Sequence, residues 1–357
     1  DTIYLLDYNR DMQKVFSGSP EAIDENGVLL GIASDDLQYE TNTDEDIVAF
    51  VQERDLWLYS RKSGELYQVF SFSDAEGSDA RSRNDQHAVR IISMDNSGNL
   101  AFAVYGYMNR GTHEGEVGVG IYYFNAADNV IEEKAFIPST KSFAIAEDEL
   151  GKMVYYNHSE KMLYVLAEGT LYRIDLDRNE QEVLAGNLTE DQYTVSDDGR
   201  QMAYQTDDSA AEIQVMNLES GDSYQIKAEN QETVRPLGFI NSDFIFGKIK
   251  AEDAGQTVSG EAVTPMYAVE IVNSKNEQVA EYSFTDSGIY TTDILIDGNL
   301  LTLNRVQKDG SVYSATDQEY ITNNEERRET TVSLAVYSTD RMQKQVRITF
   351  EDAADNT

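Results

Sequence analysis

Cysteine is absent from this chain of 357 residues, and histidine occurs only three times. Without cysteine there can be no thiolate metal site and no cysteine nucleophile. His87, His113 and His158 are isolated in the sequence, outside any His-Glu-x-x-His helix or Cys/His cluster. We therefore expect no metal site and no cofactor.

Motifs for catalysis or phosphate binding are also missing. No Gly-x-Ser-x-Gly elbow occurs, so an esterase or peptidase of that type would lack its nucleophile. The glycines of residues 115–120 precede no helix, and phosphate cradles need a helix N-terminus, so this segment is predicted to be a loop that enters a strand. Residues 175–179 resemble the start of an EF-hand loop, but Glu180 and Gly186 stand where a glycine and a bidentate glutamate are needed. This segment is predicted to be a hairpin turn.

Basic residues are scarce, 28 against 65 acidic ones, which gives a net charge of −37. Such a chain repels phosphate backbones and anionic lipid surfaces, so nucleic acid is excluded as a partner. No apolar run approaches the roughly 20 residues of a membrane span, so no membrane insertion is expected. The acidic residues, including the run between Asp35 and Asp46, are interpreted as solvated turns; a cation-rich partner or a weak calcium site is the alternative.

What the sequence does contain is a repeated pair of short apolar strands separated by turn residues. Turn formers such as Asn, Asp, Gly and Ser between the strands favour tight hairpins. Seven pairs occur, at residues 3–7 and 15–16, 56–59 and 69–70, 120–124 and 135–136, 171–174 and 183–184, 213–216 and 224–226, 267–271 and 282–284, and 334–337 and 346–348.

A further strand precedes each of the last six hairpins. These strands are residues 47–51, 100–104, 153–156, 202–205, 244–247 and 300–303, and their first residues are 53, 53, 49, 42 and 56 positions apart. An innermost strand lies before some of them, at residues 89–92, 193–195 and 293–296. Periods of roughly 40 to 50 residues are typical of four-stranded propeller blades.

One whole unit is especially clear. Residues 194–204 followed by residues 213–221 resemble a blade of the broad β-propeller group with WD40-like or TolB-like repeats. The Trp-Asp dipeptide of WD40 repeats is absent, because the single tryptophan, Trp57, lies in an apolar strand. The Ser-x-Asp-x-Gly-x-Thr-Trp motif of sialidase-like propellers is absent as well. Residues 196–199 are the most similar segment, but they lack the aromatic residue and are predicted to be a turn. The resemblance implies architecture and no particular activity.

We therefore predict an all-β protein, a single β-propeller domain over residues 1–357 built from four-stranded antiparallel blades. Seven blades are predicted, with six as the alternative. The N-terminal hairpin within residues 1–17 is expected to close the ring by sharing a blade with strands from residues 311–347; in the six-bladed alternative it is peripheral. The start at Asp1, almost directly on a strand, favours a piece of a longer protein. The missing cysteines, the acidity and the resemblance favour a bacterial domain that is secreted or at the cell surface.

Four long insertions favour one end of the blades as the binding face. Residues 107–116, 250–264 and 307–328 fall between second and third strands, and residues 73–86 fall between blades, so strand parity places all four on one face. Loops held by a rigid scaffold commonly carry binding residues. The candidates for ligand binding are Tyr107, Arg110, His113, Tyr313 and Tyr320. His87 and Arg90 are further candidates if they face a central channel together; the alternative for His87 is a structural histidine with satisfied hydrogen bonds.

Two functions fit this pattern. The first is a noncatalytic propeller that presents the insertion-rich face to a protein partner or to another domain of its parent chain. The alternative is a carbohydrate-active propeller, a glycan binder or a lyase-like enzyme whose acids and tyrosines converge only in three dimensions.

Overall fold

The computed structural model describes residues 23–24, 27–32, 38–52, 54–71, 87–108, 111–229, 231–322, 332–338 and 344–350. Strands dominate, at 61% of the described residues, and α1 (Phe143–Leu150) is the one α-helix within these ranges. The predicted all-β fold of four-stranded antiparallel sheets is confirmed.

The chain divides into two compact units. Unit 1 combines residues 1–151 with residues 328–357, and unit 2 comprises residues 152–327. A single propeller domain over the whole chain, and its number of blades, stay predictions.

Unit 1 contains two four-stranded antiparallel sheets built from consecutive strands. Sheet B is formed by β3 (Tyr39–Thr41), β4 (Ile47–Gln52), β5 (Asp55–Ser60) and β6 (Glu65–Phe70). Sheet C is formed by β7 (His87–Met94), β8 (Leu100–Tyr107), β9 (Val117–Asn125) and β10 (Val130–Ser139). Both contain a hairpin predicted from the sequence, and β7 is one of the predicted innermost strands.

Sheet A joins the two ends of the described chain. Its strands are β1 (Ile23–Asp24), β2 (Gly27–Ile32), β29 (Val332–Ser338) and β30 (Lys344–Phe350), in the order β1-β2-β30-β29. The predicted 334–348 hairpin is therefore confirmed, and N-terminal strands do share a sheet with C-terminal ones. The N-terminal strands in this sheet lie within residues 23–32, whereas the predicted 3–16 hairpin lies outside the described residues.

Unit 2 begins with two further four-stranded antiparallel sheets. Sheet D is formed by β11 (Val154–Asn157), β12 (Met162–Ala167), β13 (Thr170–Asp175) and β14 (Glu180–Ala185). Sheet E is formed by β15 (Tyr193–Val195), β16 (Gln201–Gln205), β17 (Glu212–Asn217) and β18 (Ser223–Lys227). Sheet E corresponds to the blade-like repeat, residues 194–221, that is clearest in the sequence.

Sheet F contains ten strands and two successive blade-like sets. The first set is β19 (Thr233–Ile240), β20 (Asp243–Ile249), β23 (Met266–Val272) and β24 (Gln278–Tyr282). The second set is β25 (Ile289–Asp297), β26 (Leu300–Asp309) and β28 (Glu319–Thr322). Three short strands within the insertions complete the sheet: β21 (Gly255–Thr257), β22 (Ala262–Val263) and β27 (Val312–Ala315).

The core clusters of the described residues lie between neighbouring sheets or between the two blade-like sets of sheet F. In unit 1, Leu56 and Leu58 of sheet B belong to the same buried cluster as Phe102 and Val104 of sheet C. In unit 2, clusters of the same kind join sheet E to the first set of sheet F, and the first set to the second. A sheet of four short strands cannot bury both faces alone, so each depends on its neighbour for the burial that drives folding.

Two strand assignments from the sequence are wrong. Residues 153–156 were predicted to be a second strand, but β11 is the first strand of sheet D, because the apolar strand β12 follows it through a tight turn. Residues 300–303 were expected to precede the 334–348 hairpin in one blade. They pair instead with β28, while β30 pairs with β2.

Candidate functional site

Two of the predicted insertions form one structured layer in unit 2. It consists of residues 250–264 and residues 307–322, the described part of the 307–328 insertion, and is called here the insertion layer. Strands β21 and β22 make a small hairpin, and β21 runs parallel to β27, with Gln256 opposite Val312 and Thr257 opposite Tyr313. The amide of Gln256 donates to the carbonyl of Ser311 at 3.0 Å. Backbone pairing therefore fixes the two insertions to each other.

Asp253 anchors this layer from inside, with only 7% of its surface exposed. Its Oδ1 accepts hydrogen bonds from Lys308 Nζ at 2.6 Å and from the Tyr290 hydroxyl at 3.0 Å. Its backbone carbonyl accepts from the Tyr313 hydroxyl at 2.6 Å. Hydrogen bonding to Asp253 raises the pKa of the Lys308 ammonium, so this lysine stays charged within the layer.

Tyr313 is the first candidate whose surroundings differ from those expected. The sequence suggested a tyrosine on an exposed loop, but the side chain is 1% exposed and packs edge-on against the ring of Tyr290, with 5.7 Å between centroids. Burial leaves the ring no surface for a ligand. Its hydroxyl and ring stabilise the layer instead.

The exposed charged side chains of the layer are acidic: Glu252, Glu261, Asp309 and Asp317. Val258, in the turn between β21 and β22, is 76% exposed. Tyr320 is 61% exposed and lies in β28, which pairs with β26, and its hydroxyl donates to Gln318 Oε1 at 2.7 Å. The layer thus presents an apolar side chain, an aromatic ring and negative charge to solvent.

His113 lies in the insertion of unit 1, between β8 and β9. Its Nδ1 is 3.1 Å from Glu116 Oε2, its Nε2 is 2.9 Å from Glu133 Oε1, and its ring stacks on Phe136 with 3.8 Å between centroids. The hydrogen bond to Glu133, helped by Glu116, raises the pKa of the imidazole. His113 thereby attaches the insertion to β10.

The remaining candidates of unit 1 are more dispersed. Tyr107 ends β8 and is half-buried, opposite Val117, and Arg110 lies outside the described residues. His87 is buried, whereas Arg90 is exposed, donates to the carbonyl of Gly151 and covers the ring of Tyr105.

The expectation that His87 and Arg90 face one channel together is wrong. They lie three positions apart along β7, and side chains alternate between the faces of a strand, so the two point to opposite sides. The other two insertion residues, Tyr313 and Tyr320, belong to unit 2. The six candidates that the structure describes are therefore divided between the two units, and a common binding site for them stays a prediction.

Two turns resemble known motifs, an EF-hand loop at residues 175–179 and the sialidase motif at residues 196–199, and both are held by their own hydrogen bonds. Asp175 Oδ1 accepts from the amides of Asp177 and Arg178, each at 3.0 Å, and Ser196 Oγ donates to Asp198 Oδ1 at 2.6 Å. Both segments are turns, as predicted. Within the described ranges no group of three or more His, Asp or Glu side chains is placed to hold a metal ion, and no helix there is long and apolar enough to cross a membrane.

A charged cleft in unit 2 was missed by sequence reasoning. It has a volume of about 190 Å³ and lies between β18 of sheet E and strands β20 and β23 of sheet F, with Lys248, Glu270, Tyr267 and Glu232 in its wall. The sequence contains one indication of this cleft, a charged residue within an otherwise apolar strand. Lys248 in β20 and Glu270 in β23 are such residues.

Comparisons with known proteins identify no family. No family model matches the chain, and no curated protein matches it. One similar solved structure, a mitotic checkpoint complex, is 13% identical, with 93% of this chain and 95% of that chain covered and a TM-score of 0.36. Another, the dipeptidyl peptidase 4 of Porphyromonas gingivalis, is 12% identical, with 87% of this chain covered and a TM-score of 0.38. The match spans half of the peptidase chain.

Proposed function

We propose that this protein is a noncatalytic binding domain whose insertion layer contacts a protein partner. The observation that carries the proposal is the construction of the layer, in which two separate insertions are fixed by parallel strand pairing and by the buried Asp253. A preorganised surface loses little conformational entropy when it binds.

The exposed chemistry of the layer suits a protein surface. An apolar side chain and an aromatic ring, surrounded by polar groups, are the usual anchors of a protein interface. Val258 and Tyr320 supply them, and both are more than half exposed. The net charge of −37 favours a partner with a basic surface, whose association should be faster at low ionic strength.

The cellular location of the domain is also part of this proposal. We place the domain outside the cytoplasm of a bacterium, secreted or at the cell surface, where the partner is another protein or another domain of the parent chain. The absence of cysteine and the strong acidity support this location.

The proposal is tested by capture of partners from extracts of the source organism. The double variant V258S/Y320S should lose at least 90% of any specific partner, roughly the tenfold loss that about 1.4 kcal/mol produces. The matched control is V279S/Y67S, which changes the same residue types at positions that are 52% and 42% exposed outside the layer. Equal capture by the two double variants would refute the proposal.

The carbohydrate alternative has a separate readout. A glycan array probed with the intact protein, with turnover assays in parallel, would favour that alternative if Y107F and H113Q abolished a specific signal. The protein-binding proposal expects no such signal.

A further inference from the structure

The charged cleft of unit 2 is lined by both apolar and polar side chains. Ile226 and Phe246 belong to this lining but are almost fully buried. Glu232 and Tyr267 line the cleft as well. A cleft of about 190 Å³ has room for the end of one long side chain, whose charged head would reach these polar groups.

The cations of the cleft are engaged by carboxylates. Lys248 Nζ forms an ion pair with Glu270, which is 9% exposed, and lies 2.8 Å from Glu281 Oε2. Burial alone would lower the pKa of Lys248, but these two carboxylates outweigh it and raise the pKa. Lys227 lies 3.3 Å from Glu212 Oε2. Lys248 and Lys227 thus form their ion pairs with carboxylates other than Glu232, which also lines the cleft.

Glu232 and Tyr267 together form a receptor for a cation. The Tyr267 hydroxyl donates to Glu232 Oε2 at 2.6 Å, which fixes the carboxylate beside the ring. Lys250 Nζ lies 4.1 Å from the centroid of the Tyr267 ring and 3.8 Å from Glu232 Oε1. An ammonium group of the chain itself thus occupies a site made of an aromatic face and a carboxylate, the combination that recognises organic cations.

Lys250 is held loosely in this position. Its distance to Glu232 is at the long end for an ion pair, and its side chain is 38% exposed, so solvent can replace its contacts. Lys250 is also the first residue of the 250–264 insertion, so the receptor lies at the base of the insertion layer.

We propose that the Glu232–Tyr267 receptor binds a lysine or arginine side chain of the partner in place of Lys250. The proposal rests on the proposed function for the origin of that side chain, whereas the chemistry of the receptor does not depend on it. The net negative charge of the protein and the basic partner that it favours are consistent with a cationic anchor at this position.

The test uses a probe with a single cation, N-acetylarginine methylamide, titrated into the intact protein and followed by NMR shifts around Tyr267. Lys250→Met removes the competing ammonium and should strengthen binding about fivefold or more. Glu232→Gln removes the carboxylate and should weaken it about tenfold. N-acetylcitrulline methylamide, a neutral analogue of similar shape, should leave the shifts unchanged.

Matched controls separate recognition by the receptor from the general attraction of an acidic protein. Lys152 and Glu190 form an exposed ion pair at 2.7 Å, so K152M and E190Q make the same charge changes away from the cleft. Both should bind the probe within about twofold of the wild type. Circular dichroism verifies that each variant is folded.

The outcomes distinguish this inference from the proposed function. Absence of saturable shifts at Tyr267, or equal effects of K152M and K250M, would overturn the receptor. The effect of V258S/Y320S on partner capture would still stand in that case. If the probe binds as expected but V258S/Y320S captures as much partner as the wild type, the receptor stands and the function assigned to the insertion layer fails.

Discussion

Asp253 shows how one carboxylate can organise a surface that local sequence does not reveal. It lies 55 positions from Lys308 and 60 from Tyr313, yet both side chains hydrogen-bond to it. Burying a charge is costly unless hydrogen bonds and an opposite charge compensate, and here Tyr290 and Lys308 supply them to the carboxylate, while Tyr313 bonds to the backbone carbonyl. The side chains at the surface of the insertion layer therefore depend on buried residues beneath them.

Replacement of this carboxylate should destabilise the layer. Asp253→Asn leaves the Lys308 ammonium without its ionic partner, and the expected cost is about 1–3 kcal/mol in the free energy of unfolding, measured by denaturant titration. The control Asp309→Asn changes an exposed carboxylate in the same layer and should cost less than about 0.5 kcal/mol. Adding Lys308→Met to Asp253→Asn should recover part of the loss, because the uncompensated cation is removed. Equal costs for the two asparagine variants would contradict this account.

His113 should make the stability of unit 1 depend on pH. Its pKa is raised in the folded protein, so its contribution is fully present below the unfolded pKa of about 6.5 and is lost as the pH rises through the folded pKa. His113→Gln should therefore destabilise more at a pH of about 5.5 than at about 9, by about 1 kcal/mol or less because solvent screens this exposed group. Thermal melts of both proteins at the two pH values measure the difference.

The control for this prediction retains the histidine ring. Glu133→Gln removes the carboxylate that contributes most to the shift but keeps the stacking of His113 on Phe136. This variant should melt with a weaker dependence on pH than the wild type. If the loss caused by His113→Gln were the same at both pH values, the ionic interpretation of the contact would be wrong.

At the level of strands, the sequence predicts best where regular alternation meets strong turn signals. Sheet E is an example, because Gly199 and Gly221 have the positive φ angles, +69° and +77°, that its tight turns need. Strand β12 was missed because its apolar residues follow β11 so closely that the two read as one unit. Helix α1 was missed as well, since its eight residues carry no acidic first turn or basic last turn that would mark its ends.

The site was less predictable than the strands. Three of the four insertions contain described residues, and two of these meet as parity suggests, while residues 73–86 lie outside the described ranges. A common face for insertions of different units stays a prediction. Tyr313 was expected at the surface because its burial depends on a parallel pairing between residues 56 positions apart, which leaves no local pattern.

Gly255 should be essential to this pairing. A Cβ at this position would lie 2.5 Å from the carbonyl oxygen of Ser311 and 2.7 Å from the Tyr313 ring, so Gly255→Ala must separate β21 from β27. Hydrogen exchange at the amide of Gln256 should then accelerate by about tenfold or more, since its bond to Ser311 is lost. The matched control is Gly186→Ala, where a Cβ meets no atom within 4 Å. Unchanged exchange at Gln256 would show that the pairing does not hold the layer.

At the scale of the whole molecule, sheet A links the two ends of the described chain. Strand β30 lies between β2 and β29, with Ile348 opposite both Val28 and Leu334. Contacts over such separations are slow to form and are lost together, so unit 1 should unfold cooperatively from both ends.

A cavity at the centre of sheet A should weaken unit 1 as a whole. Ile348 is fully buried, so Ile348→Ala should cost about 2–5 kcal/mol in the free energy of unfolding. Hydrogen exchange should rise in both β2 and β29, while the strands of sheet E keep their protection. Ile131→Ala, at a position that is 37% exposed, serves as the control and should have little effect. Faster exchange confined to β30 would argue against a sheet shared by the two ends.

The insertion layer as a protein-binding surface is tested most directly by photo-crosslinking at defined positions. Benzoylphenylalanine placed at Val258, at Tyr320 and, as controls, at Val183 and Val279 would be irradiated in extracts of the source organism, and the adducts identified by mass spectrometry. All four positions are more than half exposed. We expect positions 258 and 320 to capture the same protein, and the two control positions not to capture it. Adducts of the same protein at all four positions, or no shared adduct at 258 and 320, would contradict the account.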